Sequence, residues 1–252
     1  MLGECGDTRF LIDCGIGPRV LANRLEQLHV TIDSLAFVYI THEHSDHVRA
    51  IPQLLKRQIR VITSNGTATA LGLSPRQYQP VNAWHALEVE GVDLLPLPVS
   101  HDAAEPLGVR VGAGGRMVAL LTDIGRRDSD LVRPLAEADA IVLEANHDME
   151  MLNVGPYPEF LKRRVRSARG HLSNRDCASM ILEICESSGR SPTIRLAHLS
   201  TTNNTPELAR AEVQAVDRNL DVDVLDRSDS TSVPCARASR SSQARQMTMD
   251  FA

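Results

Sequence analysis

The stretch Thr41-His42-Glu43-His44-Ser45-Asp46-His47 decides how this sequence is interpreted, and it follows directly after the apolar residues 35–40. In an extended backbone His42 and His44 point to the same side, because side chains of alternate residues share a face. Asp46 and His47 are expected at the start of the following helix, where they turn two more donors toward the same pocket. A polar loop with chance histidines is the alternative, but four donors within six residues are typical of a metal chelate. The stretch therefore predicts a metal site at the end of a strand.

Composition and charge exclude several classes of protein. The chain has 252 residues with 27 Lys plus Arg against 32 Asp plus Glu, and its formal net charge is -5. A uniformly basic coat for nucleic acid is therefore excluded, whereas a local basic patch is not. The 5 cysteines contain no C-x-x-C pair, which argues against a disulfide framework and a zinc knuckle. No apolar run approaches the roughly 18 residues of a membrane helix, and acidic residues interrupt the N-terminal segment. We therefore expect a soluble, cytoplasmic protein.

Short β-rich runs alternate with helical segments along most of the chain, which predicts an α/β (α+β) fold. The runs form two clusters with helices after each, so we expect stacked sheets covered by helices, a four-layer αββα sandwich. One domain is expected over residues 1–226. Residues 227–245 carry mainly Ser, Thr and Arg with almost nothing apolar to bury, so residues 227–252 are expected to form a disordered tail that ends in a short apolar motif.

The histidine motif resembles the H-x-H-x-D-H signature of the metallo-β-lactamase fold, and the remaining donors follow in the order of that family. His101, Asp123 and His198 each come after a predicted strand. The resemblance implies that one divalent metal ion is held by His42, His44 and His101. It implies that a second ion is held by Asp46, His47 and His198, and that Asp123 bridges the two. Five imidazoles and two carboxylates suit zinc, with manganese as the alternative.

Two segments resemble the tRNA 3′-end processing nuclease branch of this fold. Leu143-Glu144-Ala145-Asn146-His147-Asp148 ends a predicted strand, and Gly170-His171-Leu172-Ser173-Asn174 precedes a predicted helix. The resemblance implies that Glu144 orients His171, which protonates the leaving oxygen, because an alkoxide leaves a phosphodiester slowly without such help. The alternative is that Glu144 is a salt-bridge partner and that His171 is a polar residue at a helix N-terminus. Asp13 matches the position that braces the histidine loop, although a turn after a strand would also explain it.

The pattern over residues 9–225 resembles the YycJ-like (WalJ-like) exonuclease group within this fold. This resemblance rests on residues 144–148, Gly155-x-Tyr157-Pro158, residues 170–174, and His198-Leu-Ser with Asn203-Asn204-x-Pro206. It implies 5′-to-3′ digestion of DNA by water that two metal ions activate, with Asp46, Glu144 and His171 as catalytic residues.

A basic segment leads into His171 and is opposed only by Glu159. It contains Lys162, Arg163, Arg164, Arg166 and Arg169. Such a strip can hold a phosphate backbone while the overall charge stays acidic, although basic helix faces are often merely solvated. We place this segment, together with Asn146 and His147, among the residues expected to bind the substrate.

The sequence departs from the group at both ends. A first strand is missing before Leu2, so we expect an unpaired sheet edge there and a start codon placed one strand too late. At the other end, Gln246, Met249 and Phe251 resemble the short Gln-led peptides by which bacterial replication and repair proteins dock into the sliding clamp. A frayed end without function is the alternative.

Two other classes of function stay open at the level of sequence. One is another hydrolase on the same scaffold, which processes RNA or cleaves a small cyclic phosphodiester, a thioester or a lactam. The other is a non-enzymatic metal-binding regulatory protein, against which the complete ligand set argues. The Glu144/His171 pair argues against thioesters, because a thiolate leaves without an acid. The sequence does not decide whether the substrate is DNA or RNA, or whether cutting starts at an end or internally. It also does not decide which metal is resident or what the oligomeric state is.

Overall fold

The computed structural model describes residues 1–225, 231–234 and 247–251. The chain separates into two compact units, each with its own strands and helices. Unit 1 comprises Met1–Pro98, Ala103–Arg116 and the described part of Arg227–Ala252, and unit 2 comprises Val99–Asp102 and the described part of Met117–Asp226. One domain over residues 1–226 stays a prediction, and unit 1 includes described residues beyond that span.

Unit 1 is built on a mixed sheet. Its first five strands are β1 (Leu2–Cys5), β2 (Thr8–Ile12), β3 (Leu35–Tyr39), β4 (Arg60–Ser64) and β5 (Tyr78–Val81). Strands β2 to β5 pair parallel in that order, while β1 pairs antiparallel with β2. In β3 the side chains of Phe37, Val38 and Tyr39 are all 0% exposed, as expected of a parallel strand with both faces covered. The carboxyl end of β3 leads into the histidine loop.

Three more strands of unit 1 form an antiparallel meander. They are β6 (Leu87–Val89), β7 (Val92–Pro98) and β8 (Leu107–Ala113). The sequence predicts these strands within one or two residues of their observed bounds, because they are short runs rich in β-forming residues. It does not predict β5, whose four residues include a proline.

The described part of unit 1 contains four α-helices: α1 (Pro18–Gln27), α2 (Ser45–Val48), α3 (Ile51–Lys56) and α4 (Asn65–Ala70). Helix α1 begins at a proline and buries Leu21 and Leu25 in the core, as its sequence predicts. One helix is predicted over residues 46–57, but the structure has two. The break arises because the N–H of Ala50 donates to the Cys14 carbonyl at 3.0 Å, and because Pro52 has no N–H to donate.

Unit 2 contains four parallel strands that pair in chain order. They are β9 (Arg116–Leu121), β10 (Ala140–Glu144), β11 (Thr193–Ala197) and β12 (Val222–Val224). Its helices are α5 (Ser129–Ala136), α6 (Met149–Val154), α7 (Glu159–Val165), α8 (Asn174–Ser188) and α9 (Pro206–Gln214). Functional side chains in α/β sheets cluster beyond the carboxyl ends of parallel strands. Asp123, Glu144 and His198 stand at the carboxyl ends of β9, β10 and β11.

The basic segment of unit 2 folds differently from its prediction. A single helix is expected over residues 157–169, but α7 ends at Val165, whose carbonyl accepts the N–H of His171 at 2.9 Å. Gly170 allows this close approach, because a Cβ there would lie 2.2 Å from the Val165 carbonyl oxygen. Helix α6, which the sequence analysis misses, begins where the Asp148 carboxylate accepts the N–H of Met151 at 2.8 Å. The two short helices therefore place His171 against the end of α7.

The C-terminal region also differs from its prediction. Instead of disorder, residues 231–234 and 247–251 form the strands β13 (Thr231–Pro234) and β14 (Met247–Phe251). Strand β14 pairs antiparallel with β1, with Met249 opposite Gly3, and β13 pairs with β14. The edge of β1 that was expected to be unpaired is therefore hydrogen-bonded within unit 1. Such a distant pairing leaves no local pattern in the sequence. Residues 226–230, 235–246 and 252 lie outside the described residues, and Gln246 of the expected docking peptide is among them.

Across the described part of the chain, we find no helix with the length and apolar character that crossing a membrane requires.

Candidate metal centre

The histidine loop of unit 1 starts directly after β3 and continues into α2. Its chain is held in place by two backbone hydrogen bonds, from Cys14 N–H to the His47 carbonyl at 2.7 Å and from Ala50 N–H to the Cys14 carbonyl at 3.0 Å. Gly15 is required for this approach, because a Cβ at that position would lie only 1.4 Å from the Asp46 carbonyl oxygen. The loop conformation is thus fixed by the segment that follows β2.

Asp13 contacts the histidine loop at two points. One of its carboxylate oxygens accepts the backbone N–H of Thr41 at 2.9 Å, and the other lies 2.8 Å from Nδ1 of His47. Burial alone would raise the pKa of Asp13, but His47 and the hydrogen bonds from His47 and Thr41 outweigh it and lower the pKa below its ordinary value. The residue has a φ of 57°, a left-handed conformation that non-glycine residues rarely adopt. Asp13 is therefore a charged acceptor that orients His47.

The imidazoles of the loop lie against one another. The ring centroids of His42 and His44 are 4.6 Å apart, and those of His42 and His47 are 4.1 Å apart. His42 and His47 are buried, His44 is half-buried, and the Asp46 side chain is 64% exposed. The Thr41 hydroxyl lies 3.0 Å from Nδ1 of His42. Sequence reasoning missed this contact of Thr41, since a lone hydroxyl next to a histidine has no distinctive pattern.

Unit 2 brings together Asp123, His101 and His198. Oδ1 of Asp123 lies 3.6 Å from Nε2 of His101 and also 3.6 Å from Nε2 of His198. Asp123 is buried and has a φ of 58°, while His198 has a φ of 59°. The same oxygen also lies 3.6 Å from Nδ1 of His171, so Asp123 is in contact distance of three imidazoles of this unit.

Glu144 is the acceptor that organises the unit 2 cluster. Its Oε1 lies 2.9 Å from Nδ1 of His171 and 2.8 Å from Nδ1 of His198, and the side chain is 0% exposed. Its Oε2 accepts the N–H of Ile124 at 2.7 Å. Ligand atoms of Asp123, Glu144, His171 and His198 all lie within 4.8 Å of one another. The sequence resemblance pairs Glu144 with His171 alone, so its contact with His198 is an addition from the structure.

The pKa values in this cluster are shifted in opposite directions. Burial lowers the pKa of His171, but its hydrogen bond and charge interaction with Glu144 outweigh burial and raise the pKa above the ordinary value. Burial raises the pKa of Glu144, and the hydrogen bonds from His171 and His198 reverse this and lower it. The pKa of His101 is lowered, with burial as the main cause. The pair of Glu144 and His171 therefore favours an imidazolium beside a carboxylate.

The donor chemistry of both units fits divalent metal ions. In His42, His47, His101 and His198 the Nδ1 atom contacts an oxygen of the protein, from Thr41, Asp13, Gly170 and Glu144 respectively. A hydrogen on Nδ1 places the lone pair on Nε2, which is the tautomer that coordinates metal, and carboxylate or carbonyl acceptors of this kind are the usual partners of metal-bound imidazoles. Imidazole nitrogens with aspartate oxygens suit zinc and similar ions.

The basic segment is only partly available to a substrate. Lys162 is buried, and its ammonium donates to the Asn153 carbonyl at 2.7 Å, so its expected role in substrate binding does not fit the structure. Arg164 donates from Nε to Asp102 at 2.8 Å, and Arg169 donates from Nε to the His101 carbonyl at 3.0 Å. These three cations stabilise the fold around His101 and α6. All four arginines of the segment are exposed, and Arg163 and Arg166 are the two that take no part in these contacts.

Asn146 and His147, which the sequence analysis places at the substrate, are both buried. The Asn146 amide donates to the His198 carbonyl at 2.9 Å, so it positions the loop that carries a candidate ligand. His147 is 1% exposed, and neither of its ring nitrogens has a hydrogen-bond partner among the described residues. Burial lowers its pKa to about 4. Both residues therefore lie in the interior of the unit, and their burial does not allow direct contact with a substrate.

Asp102 is a second residue that sequence reasoning missed. One carboxylate oxygen lies 3.3 Å from Nε2 of His101, and the other accepts from Nε and Nη2 of Arg164 at 2.8 and 2.7 Å. It connects a candidate ligand to the basic segment. Its position directly after His101 is the one signal that could have indicated this role.

Comparisons with known proteins identify the family. Residues 8–191 match the family described as "Beta-lactamase superfamily domain". The chain is 32% identical over 216 residues to exodeoxyribonuclease YycJ of Bacillus anthracis, covering 83% of this chain and 81% of that protein. It is 30% identical over 245 residues to exodeoxyribonuclease WalJ of Streptococcus pneumoniae, covering 92% of this chain and 90% of that protein.

A solved structure agrees with these matches. The metallo-β-lactamase fold protein YhfI from Bacillus subtilis superposes with a TM-score of 0.68 at 19% identity, over 89% of this chain and 87% of that one. The fold class and the family resemblance predicted from the sequence are thereby confirmed. With the family match over residues 8–191 and relatives at 30–32% identity, this chain belongs to the metallo-β-lactamase superfamily and is a hydrolase of that superfamily.

Proposed function

We propose that this chain is a metal-dependent nuclease that digests DNA in the 5′-to-3′ direction. Two relatives that are 32% and 30% identical to it are named exodeoxyribonucleases. The observation that carries the proposal is the buried Glu144 carboxylate 2.9 Å from Nδ1 of His171, next to Asp123. Such an acid assists a phosphodiesterase, because an alkoxide leaves slowly without a proton or a cation at the leaving oxygen.

The metal ligands in this proposal follow the family pattern. One divalent ion is assigned to His42, His44 and His101, a second to Asp46, His47 and His198, and Asp123 is shared. Support comes from each unit by itself: Asp13 orients His47, and Asp123 lies equally far from His101 and His198. When bound, ions of this kind neutralise charge on a phosphodiester and lower the pKa of water. Zinc and manganese are the candidates.

The residues of the chain itself supply the proton and its control. His171 is 20% exposed, and its Nδ1 is held by Glu144, so Nε2 is the nitrogen from which a proton can reach the leaving oxygen. The carboxylate stabilises the imidazolium, and the raised pKa of His171 keeps the acid form present toward neutral pH. Glu144 therefore acts by positioning His171 and maintaining its charge.

Binding of the phosphate backbone is assigned to Arg163 and Arg166. Both are exposed, unlike Lys162, and both precede the proposed acid by a few residues. Two cations suffice for a local patch on a chain whose net charge is -5. Such a DNA-directed activity would operate in the cytoplasm.

Docking to the sliding clamp through Gln246, Met249 and Phe251 stays a prediction. The backbone of Met249 pairs with Gly3 and with Val233, so a peptide that enters a clamp pocket would first have to leave the sheet of unit 1. Docking would therefore compete with the pairing of β14.

The experiment that tests the proposed function uses purified protein loaded with zinc or manganese. End-labelled duplex DNA, single-stranded DNA and RNA of one sequence are incubated with it, with and without a chelator. We expect metal-dependent release of nucleotides from the 5′ end of DNA. A protein that cleaves none of the three, or that remains fully active in excess chelator, would contradict the proposal, and preferential cleavage of RNA would reassign the substrate.

A further inference from the structure

Trp84 stands out in unit 1 because its backbone is unfavourable and its side chain is exposed. It is the single tryptophan of the chain, its side chain is 44% exposed, and its φ is 66°. The N–H of His85 donates to the Asn82 carbonyl at 3.2 Å, which closes a turn with Ala83 and Trp84 at its centre. A central turn residue with positive φ is usually Gly or Asn, and a bulky residue there is strained. The chain therefore has a large aromatic ring at a position where backbone stability alone would favour glycine.

Other residues of unit 1 with positive φ have evident structural or functional reasons. His29 and Gln58 follow the ends of α1 and α3, where helices commonly end in a left-handed residue, and Glu90 lies in the two-residue turn between β6 and β7. Asp13 braces the histidine loop. Trp84 follows no helix; its N–H donates to the Pro96 carbonyl at 2.9 Å, which helps to hold the turn, while 44% of its side chain stays exposed. Strain that persists at an exposed side chain is a basis for a hypothesis of function.

The position of Trp84 in unit 1 places it at the end of the sheet that carries the histidine loop. Ile62 pairs with both Tyr39 of β3 and Gln79 of β5. If the register of β3, β4 and β5 is extended by two residues, Thr41, where the histidine loop starts, lies at the same height along the sheet as Val81. Trp84 comes three residues after Val81, and β3 and β5 are two strand spacings apart, about 10 Å. The turn and the histidine loop therefore lie along the same edge of one sheet, a few nucleotide lengths apart.

The surroundings of Trp84 favour a single flat ring as its ligand. Val20 is the other large hydrophobic side chain that is exposed among the described residues of unit 1, and it lies on α1. Next to Trp84, the exposed residues are Asn82, His85 and Ala86. Among the side chains that the structure describes in unit 1, no other large hydrophobic residue is exposed in this turn, whereas a protein partner usually covers a broad apolar patch. Every nucleobase offers a π face, and one aromatic side chain is enough to stack on it.

We propose that Trp84 stacks on one nucleobase of the bound strand and so sets the position of that strand at the histidine loop. This inference rests on the proposed nuclease function and adds a substrate-positioning residue to it. The indole contacts the base, while the turn from Asn82 to His85 fixes its direction. The strained turn is then explained, because only a rigid, exposed ring at this place can act as the platform.

The test uses the fact that Trp84 is the only tryptophan, so intrinsic fluorescence reports on this residue alone. The zinc-loaded full chain is titrated with unlabelled phosphorothioate oligonucleotides, which resist hydrolysis, as single strands and as duplexes with a short overhang. Binding is measured independently by the anisotropy of a labelled oligonucleotide. A series with one abasic residue moved stepwise from the 5′ end locates the stacked base.

We expect saturable quenching that disappears when the abasic residue occupies one particular position. Trp84→Ala should weaken binding about 5- to 100-fold, the range of base–aromatic stacking, while Trp84→Phe should retain most of the affinity. Trp84→Gly should lose affinity as Trp84→Ala does, with an unchanged or higher Tm, because glycine adopts positive φ without strain. Val20→Ala, which truncates the other exposed hydrophobic residue of unit 1, is the matched control and should bind like the wild type.

Two outcomes would overturn the inference, and they are distinguishable. Normal anisotropy binding without quenching, together with Trp84→Ala affinity within twofold of wild type, would remove Trp84 from the substrate and leave the nuclease proposal intact. A wild-type protein that binds neither DNA nor RNA in the anisotropy assay would overturn the proposed function and this inference with it.

Discussion

Replacement of Glu144 by glutamine tests the candidate centre most directly, because one carboxylate serves two histidines. The Glu144→Gln side chain keeps its shape but loses its charge and one of two acceptor oxygens. In the native chain Oε2 accepts the N–H of Ile124 at 2.7 Å and of Leu172 at 3.3 Å, while Oε1 contacts Nδ1 of His171 and His198. With the amide oxygen retained by the two N–H groups, the amide nitrogen faces two imidazole N–H groups, and all three are donors. The two hydrogen bonds to the histidines are then lost.

The size of the effect follows from those contacts. A hydrogen bond to a charged group contributes about 1.5–3 kcal/mol, so the loss of two lowers the free energy of unfolding by about 3–6 kcal/mol. For a chain of this length the Tm should fall by roughly 10 °C. Metal affinity should fall by about 10- to 100-fold, the usual effect of removing the outer partner of a ligating histidine. The pKa of His171 should fall as well, since the interaction with Glu144 is what raises it against burial.

The lowered pKa of His171 has a definite sign in a pH–rate profile. A general acid loses activity as pH rises through its pKa, so the alkaline limb of the profile should move to lower pH in Glu144→Gln. Metal content after dialysis, thermal denaturation and the pH–rate profile measure the three effects separately. Glu183→Gln is the control, because Glu183 is a half-buried carboxylate of the same unit, its side chain 43% exposed, that pairs with Arg127 at 2.7 Å, and its replacement should change stability by less than about 0.5 kcal/mol. If Glu144→Gln and Glu183→Gln behaved alike in all three assays, the organising role of Glu144 would be refuted.

Three further predictions concern residues around this cluster. The double variant Arg163→Glu, Arg166→Glu should weaken DNA binding and flatten its salt dependence, while hydrolysis of a small phosphodiester stays unchanged; a parallel loss of both would make these residues structural. His171→Ala should keep its metal content and lose about 10²–10⁴ in turnover on DNA, but not on a substrate with a phenolate leaving group, which needs no proton; equal losses on both substrates would exclude the acid role. His147 has a pKa lowered to about 4 from 6.5, so the native state is stabilised above pH 6.5 and loses about 3 kcal/mol as pH falls toward 4. Denaturant unfolding of His147→Leu should lack that part of the pH dependence, and an unchanged slope would contradict the buried neutral imidazole.

Much of the fold and the donor set could be predicted from the sequence because the information is local. The strand before the histidine loop is a continuous apolar run, and α1 begins at Pro18 with its apolar residues at helical spacing. Asp123 and His198 follow apolar strands in the family order, so their approach to His101 and Glu144 follows once the parallel strands pair in register. Residues at strand ends are predictable when the strands themselves are.

The basic segment shows what local pattern does not contain. A helical projection groups Lys162, Arg166 and Arg169 on one face, yet the helix ends at Val165 and Lys162 turns inward to the Asn153 carbonyl. Whether Lys162 turns inward depends on where α6 ends, because the last turn of a helix has backbone carbonyls that no N–H of the same helix reaches. In the same way, the pairing of Gly3 with Met249 depends on a partner far along the chain. Charge and composition indicate a basic segment and a disordered tail. Tertiary contacts then decide which cations become buried or bonded and which segments pair.

Backbone strain connects these observations to function. Asp13, Asp123 and His198, three residues of the proposed metal centre, have φ values of 57°, 58° and 59°. Each such conformation costs on the order of 1–3 kcal/mol for a residue with a side chain, and it persists only where surrounding contacts enforce it. The contacts are present, since the N–H of Asp13 donates to the Tyr39 carbonyl at 2.8 Å and Glu144 holds His198. A pattern of residue types identifies two candidate ligands, Asp123 and His198, and the acceptor Asp13, but not that all three are held at positive φ. Trp84 has the same kind of backbone without a metal-binding side chain and without a preceding helix end, so we expect that there, too, side-chain direction matters more than backbone stability.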